Sequence, residues 1–178
     1  MSATINLEKK HFPVLLDEII KIISPQYSGT FLDCTFGQGG YSEKILENSK
    51  NKVIAFDRDS NAIKLSERFK RHFKDRFEFN HKRFSEIKSI NSKNIKAIIF
   101  DLGYSTNQIF DEKKGLSFNS KGTLNMKMGL NRFSAHEVIN KLDKDELTKI
   151  FKYYGDERDA KKISQSICRK RNKYTLNT

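Results

Sequence analysis

A chain of 178 residues, 37% hydrophobic and 31% charged, suits a single globular domain with a sizeable core. No apolar run approaches the ~20 residues a membrane-spanning helix needs, and the opening "MSATINLEKKHF" has no apolar segment behind a basic one. A bilayer span and a secretory leader are therefore not expected, and the cytoplasm is the expected location. The excess of 34 Lys and Arg over 22 Asp and Glu, net +12, suits a polyanionic partner such as nucleic acid, although a chain so rich in Lys, Asn and Ile throughout reaches that charge without a binding face.

In chain order, residues 11–23, "HFPVLLDEIIKII", carry Leu15, Leu16, Ile19, Ile20, Ile22 and Ile23 at helical spacing, with Pro13 in the first turn where its missing N–H costs nothing. "SPQYSGT" ends that helix, and "TFLDCTF" reads as a short buried strand that runs into glycines. Residues 41–48 read as a helix and residues 52–59, "KVIAFDRD", as a strand closing on two acids. Ser60 is placed to cap "NAIKLSERFKRHF", whose Ile63, Leu65, Phe69 and Phe73 can cover one face of a sheet. A third strand follows at 77–81 and a fourth, the clearest, at 95–103, "IKAIIFDLG". Strands alternating with helices predict a parallel, doubly wound α/β sheet whose ligands bind beyond the carboxyl ends of its strands. From about residue 104 a long polar stretch with spaced glycines replaces the alternation, and it leads to helices at 134–142 and 144–155 and a basic helix at 156–171.

The chemistry concentrates after the first strand, in "DCTFGQGGYS" at 33–42. Glycines in such a turn let backbone N–H groups approach a nucleotide and let the next helix pack closely on the sheet. Here they are Gly37, Gly39 and Gly40, and Ser42 stands where the strict dinucleotide pattern wants a fourth, so an adenosine compound without phosphates fits better than a dinucleotide. Asp57 lies 20 residues beyond Gly37, where an acid accepts from ribose hydroxyls. A tight turn with a helix-capping acid would look much the same. The third feature is "DLGYS" at 101–105, which resembles the Asp-Pro-Pro-Tyr signature of amino methyltransferases. An exocyclic base amine is a poor nucleophile because its lone pair is delocalised, and Asp101 is the candidate to accept its N–H bonds while Tyr104 stacks on the base. Cys34 and Cys168 stand far apart, and His11, His72, His81 and His136 lack ligand spacing, so no metal is expected.

Taken together, "HFPVLL", "DCTFGQGGYS", "AFDRD", "RFSEI", "IIFDLGYSTNQ", "KGLSFNSKGTLNMKM" and "YGDERDAKKI" resemble the MraW/RsmH family of bacterial methyltransferases, which modify N4 of a cytosine in small-subunit ribosomal RNA. The middle blocks are the specific ones, because the family's "RGFSF" and "LDMRM" have no generic role in other methyltransferases. The resemblance implies a Rossmann-like class I methyltransferase sheet, here incomplete with strands one to four, followed by a mostly helical insertion domain. The first domain would occupy residues 1–104 and the second would begin in residues 105–178. S-adenosylmethionine would touch Gly39, Gly40, Tyr41, Asp57, Phe84, Asp101 and Gln108, with Asp57 on the ribose, Phe84 against adenine and Asp101 near the cationic sulfonium. Ribosomal RNA and the small ribosomal subunit are the implied partners, with no membrane and no oligomeric state indicated.

Departures accompany the likeness. Tyr41 replaces the family's usual His, Thr106 and Asn107 replace a Ser-Pro pair, and Asn125 and Lys127 replace the Asp and Arg of "LDMRM". Family members also continue past this point and return to add the remaining strands. The expectation is therefore that strand four forms an apolar sheet edge, that S-adenosylmethionine binds weakly, and that little methyl transfer occurs. The alternatives are a basic RNA-binding fragment without catalysis, using Lys161, Lys162, Arg169, Lys170, Arg171 and Lys173, or an amino methyltransferase acting on another substrate.

Overall fold

The computed structural model describes residues 13–177, which divide after Ser105 into two compact units. In the first, β1 (Thr30–Asp33), β2 (Lys52–Phe56), β3 (Phe77–Asn80) and β4 (Ile95–Ile99) make one parallel sheet in the order β3-β2-β1-β4. The chain winds outward from β1 to β3 and then crosses back to put β4 on the other side of β1. The strand order thus reverses between β1 and β4, and their carboxyl ends form the switch point at which α/β sheets hold ligands.

Side chains alternate across this sheet as the pleat requires. Phe31, Val53, Ala55, Phe77 and Ile99 face the larger core, which is covered by α1 (Leu16–Ile23), α2 (Gly40–Leu46) and α3 (Asn61–Phe73). Leu16, Ile19, Ile20 and Ile23 form the stripe of α1 that packs there, while Leu15 and Ile22 remain exposed. Each fully buried Phe, Leu or Ile on this face contributes about 1.5–3 kcal/mol relative to exposure. Leu32, Cys34, Ile54 and Phe56 face the other way, where Ile87 and Ile90, at the 3-10 helix Phe84–Ser89, pack on them. β4 is an edge, and Ile95 and Ile98 are exposed on it. An open apolar edge is what the sequence predicts for strand four.

Several boundaries move for physical reasons. The first helix begins at Leu16, because Leu15 is left-handed at φ 55°, and the stretch before it is tied to the glycine turn through the Tyr41 hydroxyl donating to the Val14 carbonyl. His11 lies outside the described residues. Ser60 makes no side-chain cap on α3; the Asn61 N–H donates instead to Asp59 Oδ1 at 3.0 Å. Within α3 the buried face is Ala62, Ser66 and Phe69, with Leu65 and Phe73 partly buried against the core and Ile63 exposed.

The second unit holds α4 (Thr106–Phe110), α5 (Ala135–Lys141), α6 (Lys144–Gly155) and α7 (Ala160–Arg171). Capping boxes start two of them, Ser134 with Glu137 on α5 and Asp143 with Glu146 on α6. The Ser134 N–H and hydroxyl hold the Glu137 carboxyl down at about 2. α6 and α7 pack on each other, with Leu147 of α6 and Ala160 and Ser164 of α7 buried. Arg171 donates to the Ile139 carbonyl at 2.8 Å and so fastens α7 to α5.

Candidate functional site

Beyond β1 the backbone stays hydrogen-bonded between its neighbours: the Cys34 N–H donates to the Ile99 carbonyl and the Phe36 N–H to the Phe56 carbonyl, both at 2.9 Å. The glycine turn therefore starts from a fixed point over the switch. The Gly37 N–H donates to Asp57 Oδ2 at 2.7 Å, which joins the turn to the tip of β2. The Asp101 N–H donates to Thr35 Oγ1 at 2.7 Å, which joins it to the tip of β4. Asp33, the last residue of β1, is wholly buried; its Oδ2 accepts from the Ser42 hydroxyl at 2.7 Å and its Oδ1 from the Thr35 N–H at 3.3 Å. Three acids from three strand tips are thus tied to one five-residue loop, Asp33 and Asp57 through their carboxylates and Asp101 through its backbone N–H.

Their electrostatics reflect that crowding. Burial pushes the Asp33 carboxyl up to about 6, the Ser42 and Thr35 hydrogen bonds oppose it, and the negative charges of Asp57 and Asp101 add to the rise. Burial raises Asp57 as well, against N–H bonds from Asp59 and Gly37. A carboxylate oxygen carries two lone pairs, so Asp57 retains acceptor capacity after binding the Gly37 and Asp59 N–H groups. The Cys34 thiol is pushed up to about 11 by burial and then by Asp33, so it stays protonated and is no nucleophile.

The glycines have separate tasks. Gly37 is left-handed at φ 51°, with the nearest atom to an added Cβ at 3.7 Å, so that side of the turn is open. At Gly39, φ 79°, an added Cβ would lie 2.5 Å from the Phe69 ring. A Cβ on Gly40 would strike the Pro13 ring. These two are required by packing beneath the turn. The Tyr41 ring is buried, and its hydroxyl is raised by burial and then by the charges of Asp101 and Asp33.

Phe84 is 39% exposed and meets Phe100 edge to face, centroids 5.4 Å apart, so two aromatic rings stand together just past β4. Tyr104 is exposed, and Gln108 is half-buried on α4 in the second unit. Sequence reasoning passed over Asp33 and Phe100; the position of each directly at a strand tip was the available signal. Among the described residues, cavities also open elsewhere. One, about 380 Å³, lies at the amino ends of the strands beside Thr30, Lys52 and Arg76, and one of about 420 Å³ lies in the second unit beside Asn125, His136 and Asn177.

Residues 8–178 match the MraW methylase family. The chain belongs to that family. Three similar relatives are each named ribosomal RNA small subunit methyltransferase H. That of Rickettsia bellii is 39% identical over 162 residues, covering 90% of this chain and 53% of the relative. The Campylobacter jejuni protein is 41% identical over 171 residues, 94% of this chain and 54% of the relative. A third, from Rickettsia canadensis, is 37% identical over 173 residues, 97% and 56% of the two chains. The chain spans about half the length of the curated relatives it matches. As an MraW methylase family member it carries the parallel sheet and the helical part described above.

Proposed function

We propose that this chain holds S-adenosylmethionine at the tips of β1, β2 and β4, and that the protein it represents methylates N4 of a cytosine in small-subunit ribosomal RNA. The observation that carries the reading is the loop from Asp33 to Gly37, which ties together the tips carrying Asp33, Asp57 and Asp101, the charges of the last two raising the first. A cluster of like charges in a partly desolvated site favours a cationic ligand. The donor set fits the cofactor: spare acceptor capacity on Asp57 for ribose hydroxyls, an apolar aromatic wall from Phe84 and Phe100 for adenine, and negative charge for a sulfonium and an ammonium.

When bound, S-adenosylmethionine supplies an electrophilic methyl group on a cationic sulfur. The work of the chain is placement. Asp101, its backbone fixed by Thr35, accepts hydrogen bonds from the exocyclic amine and so localises the nitrogen lone pair towards the methyl group. Tyr104 offers an exposed ring on which the unstacked base rests. Main-chain groups of Gly39, Gly40 and Tyr41 line the turn.

Calorimetric titration with S-adenosylmethionine tests the cofactor site. Saturable but weak binding is expected, weakened by about 10-fold or more in Asp57→Ala, the loss typical of hydrogen bonds to a charged group. Binding that ignores Asp57→Ala, or none up to millimolar cofactor, overturns the site. Low-micromolar affinity would show that the open β4 edge does not weaken it. Tritiated methyl transfer to undermethylated small subunits, with digestion to nucleosides, tests the chemistry; label on DNA or at a position other than cytosine N4 refutes the substrate.

A further inference from the structure

The segment between α4 and α5 carries a feature that the cofactor site does not use. From Lys113 to Ser134 there is no acidic residue, while Lys113, Lys114, Lys121, Lys127 and Arg132 are all present. Its backbone is folded back on itself. A Cβ on Gly122 would strike the Glu112 carbonyl and one on Gly115, at φ 60°, would strike the Thr123 carbonyl, so the two limbs touch at positions where only glycine fits. The Met126 N–H donating to the Lys114 carbonyl at 2.7 Å closes the neck. Beyond it, the Ser120 N–H donates to the Ser117 carbonyl at 3.0 Å and the Asn119 N–H to the Ser117 hydroxyl at 3.2 Å, a closed turn with Phe118 at its apex.

Phe118 is fully exposed. A phenyl ring at the apex of an ordered turn contributes nothing to the core and keeps its whole apolar area for a partner. Farther along the same loop Phe133 is also exposed, with the Arg132 guanidinium 5.5 Å from its ring centre. Aromatic faces interleaved with cations, on a stretch without one carboxylate, match a strand that offers phosphates and unstacked bases together.

We infer that the loop from Lys113 to Phe133 is a docking site for single-stranded RNA, with Phe118 stacking on an unpaired base and Lys113 and Lys121 meeting the flanking phosphates. This deepens the RNA reading given above and rests on it, but it uses none of the residues assigned to the cofactor. Stacking requires a free base face, so the site selects unpaired over duplex RNA, whereas charge alone would not.

The test is fluorescence anisotropy with a labelled, unstructured RNA of roughly twelve nucleotides, the same sequence as a duplex, and polyglutamate as competitor. Phe118→Ala should weaken single-strand binding by roughly 5- to 100-fold and Phe118→Tyr should leave it near wild type. Lys113→Gln with Lys121→Gln should reduce the slope of log affinity against log salt by about 1.4, the value for two phosphate contacts on a single strand. Because Phe118 packs on nothing, the variants should melt with the wild type. No single-strand binding at low salt, an effect of Phe118→Ala below about two-fold, equal affinity for the duplex, or equal displacement by polyglutamate in wild type and Phe118→Ala would each overturn the inference. S-adenosylmethionine titration of Phe118→Ala should match the wild type; loss of cofactor binding in both, with RNA binding intact, would refute the cofactor site and leave this one standing.

Discussion

Asp33 offers the sharpest test of how the strand tips are built. Its carboxyl binds its proton up to about pH 6 in the fold and only to 3.8 ordinarily, because burial penalises the charge and neighbouring Asp57 and Asp101 add to that penalty. A tenfold change in proton affinity corresponds to about 1.4 kcal/mol, so ionising Asp33 costs the native state about 3 kcal/mol. Since the folded value is the raised one, this stability is fully present below about pH 3.8, drains away as pH climbs, and is gone above about pH 6. Asp33→Asn keeps the shape without the charge: its amide oxygen can accept from the Thr35 N–H and its NH₂ can donate to the Ser42 oxygen. Urea unfolding of both proteins at several pH values, with m-values compared, isolates Asp33 together with its coupling to Asp57 and Asp101, because carboxylates elsewhere cancel in the difference. The stability difference should move in favour of Asp33→Asn by about 2.5 kcal/mol between about pH 4 and about pH 7.5. A difference that stays flat across that range would refute the claim that a buried, charge-crowded Asp33 lies under the turn.

Gly39→Ala should destabilise the fold by about 2–4 kcal/mol in thermal or urea unfolding, since the new Cβ meets the Phe69 ring and the left-handed backbone is strained as well. A cost under about 0.5 kcal/mol would mean that the ring moves aside freely. Ile98→Lys, on the open β4 edge, should lower concentration-dependent self-association in sedimentation velocity while leaving the far-ultraviolet spectrum unchanged. Equal association of both proteins would show that the edge is not the contact.

The parallel sheet was readable because its apolar runs are short, bounded by glycines and acids, and separated by helical spacing. Val53 and Ile54 face opposite cores, and a continuous apolar run of this kind is the mark of a strand covered on both sides. The position of Asp57 just past the second strand was readable from spacing, and the pairing of Leu32 with Ile54 brings it beside the turn, but its bond to the Gly37 N–H was not foreseen. Other features escaped because their partners are remote in sequence. That Gly39 answers to Phe69 and Gly40 to Pro13 depends on how α3 and the segment before α1 close over the turn. The same holds for Ser42: read as the residue that interrupts a glycine fingerprint, it is the donor that makes a buried Asp33 tolerable. Ser60 was the expected cap for α3, but Asp59 serves instead: Asp57 Oδ1 accepts the Asp59 N–H at 2.7 Å and Asp59 Oδ1 accepts the Asn61 N–H at 3.0 Å. The one network therefore shapes the helix start and the strand tips together, so a substitution at Asp57 should disturb α3 as well as any ligand, and Asp57→Asn, which keeps one acceptor oxygen, is the gentler probe of the site.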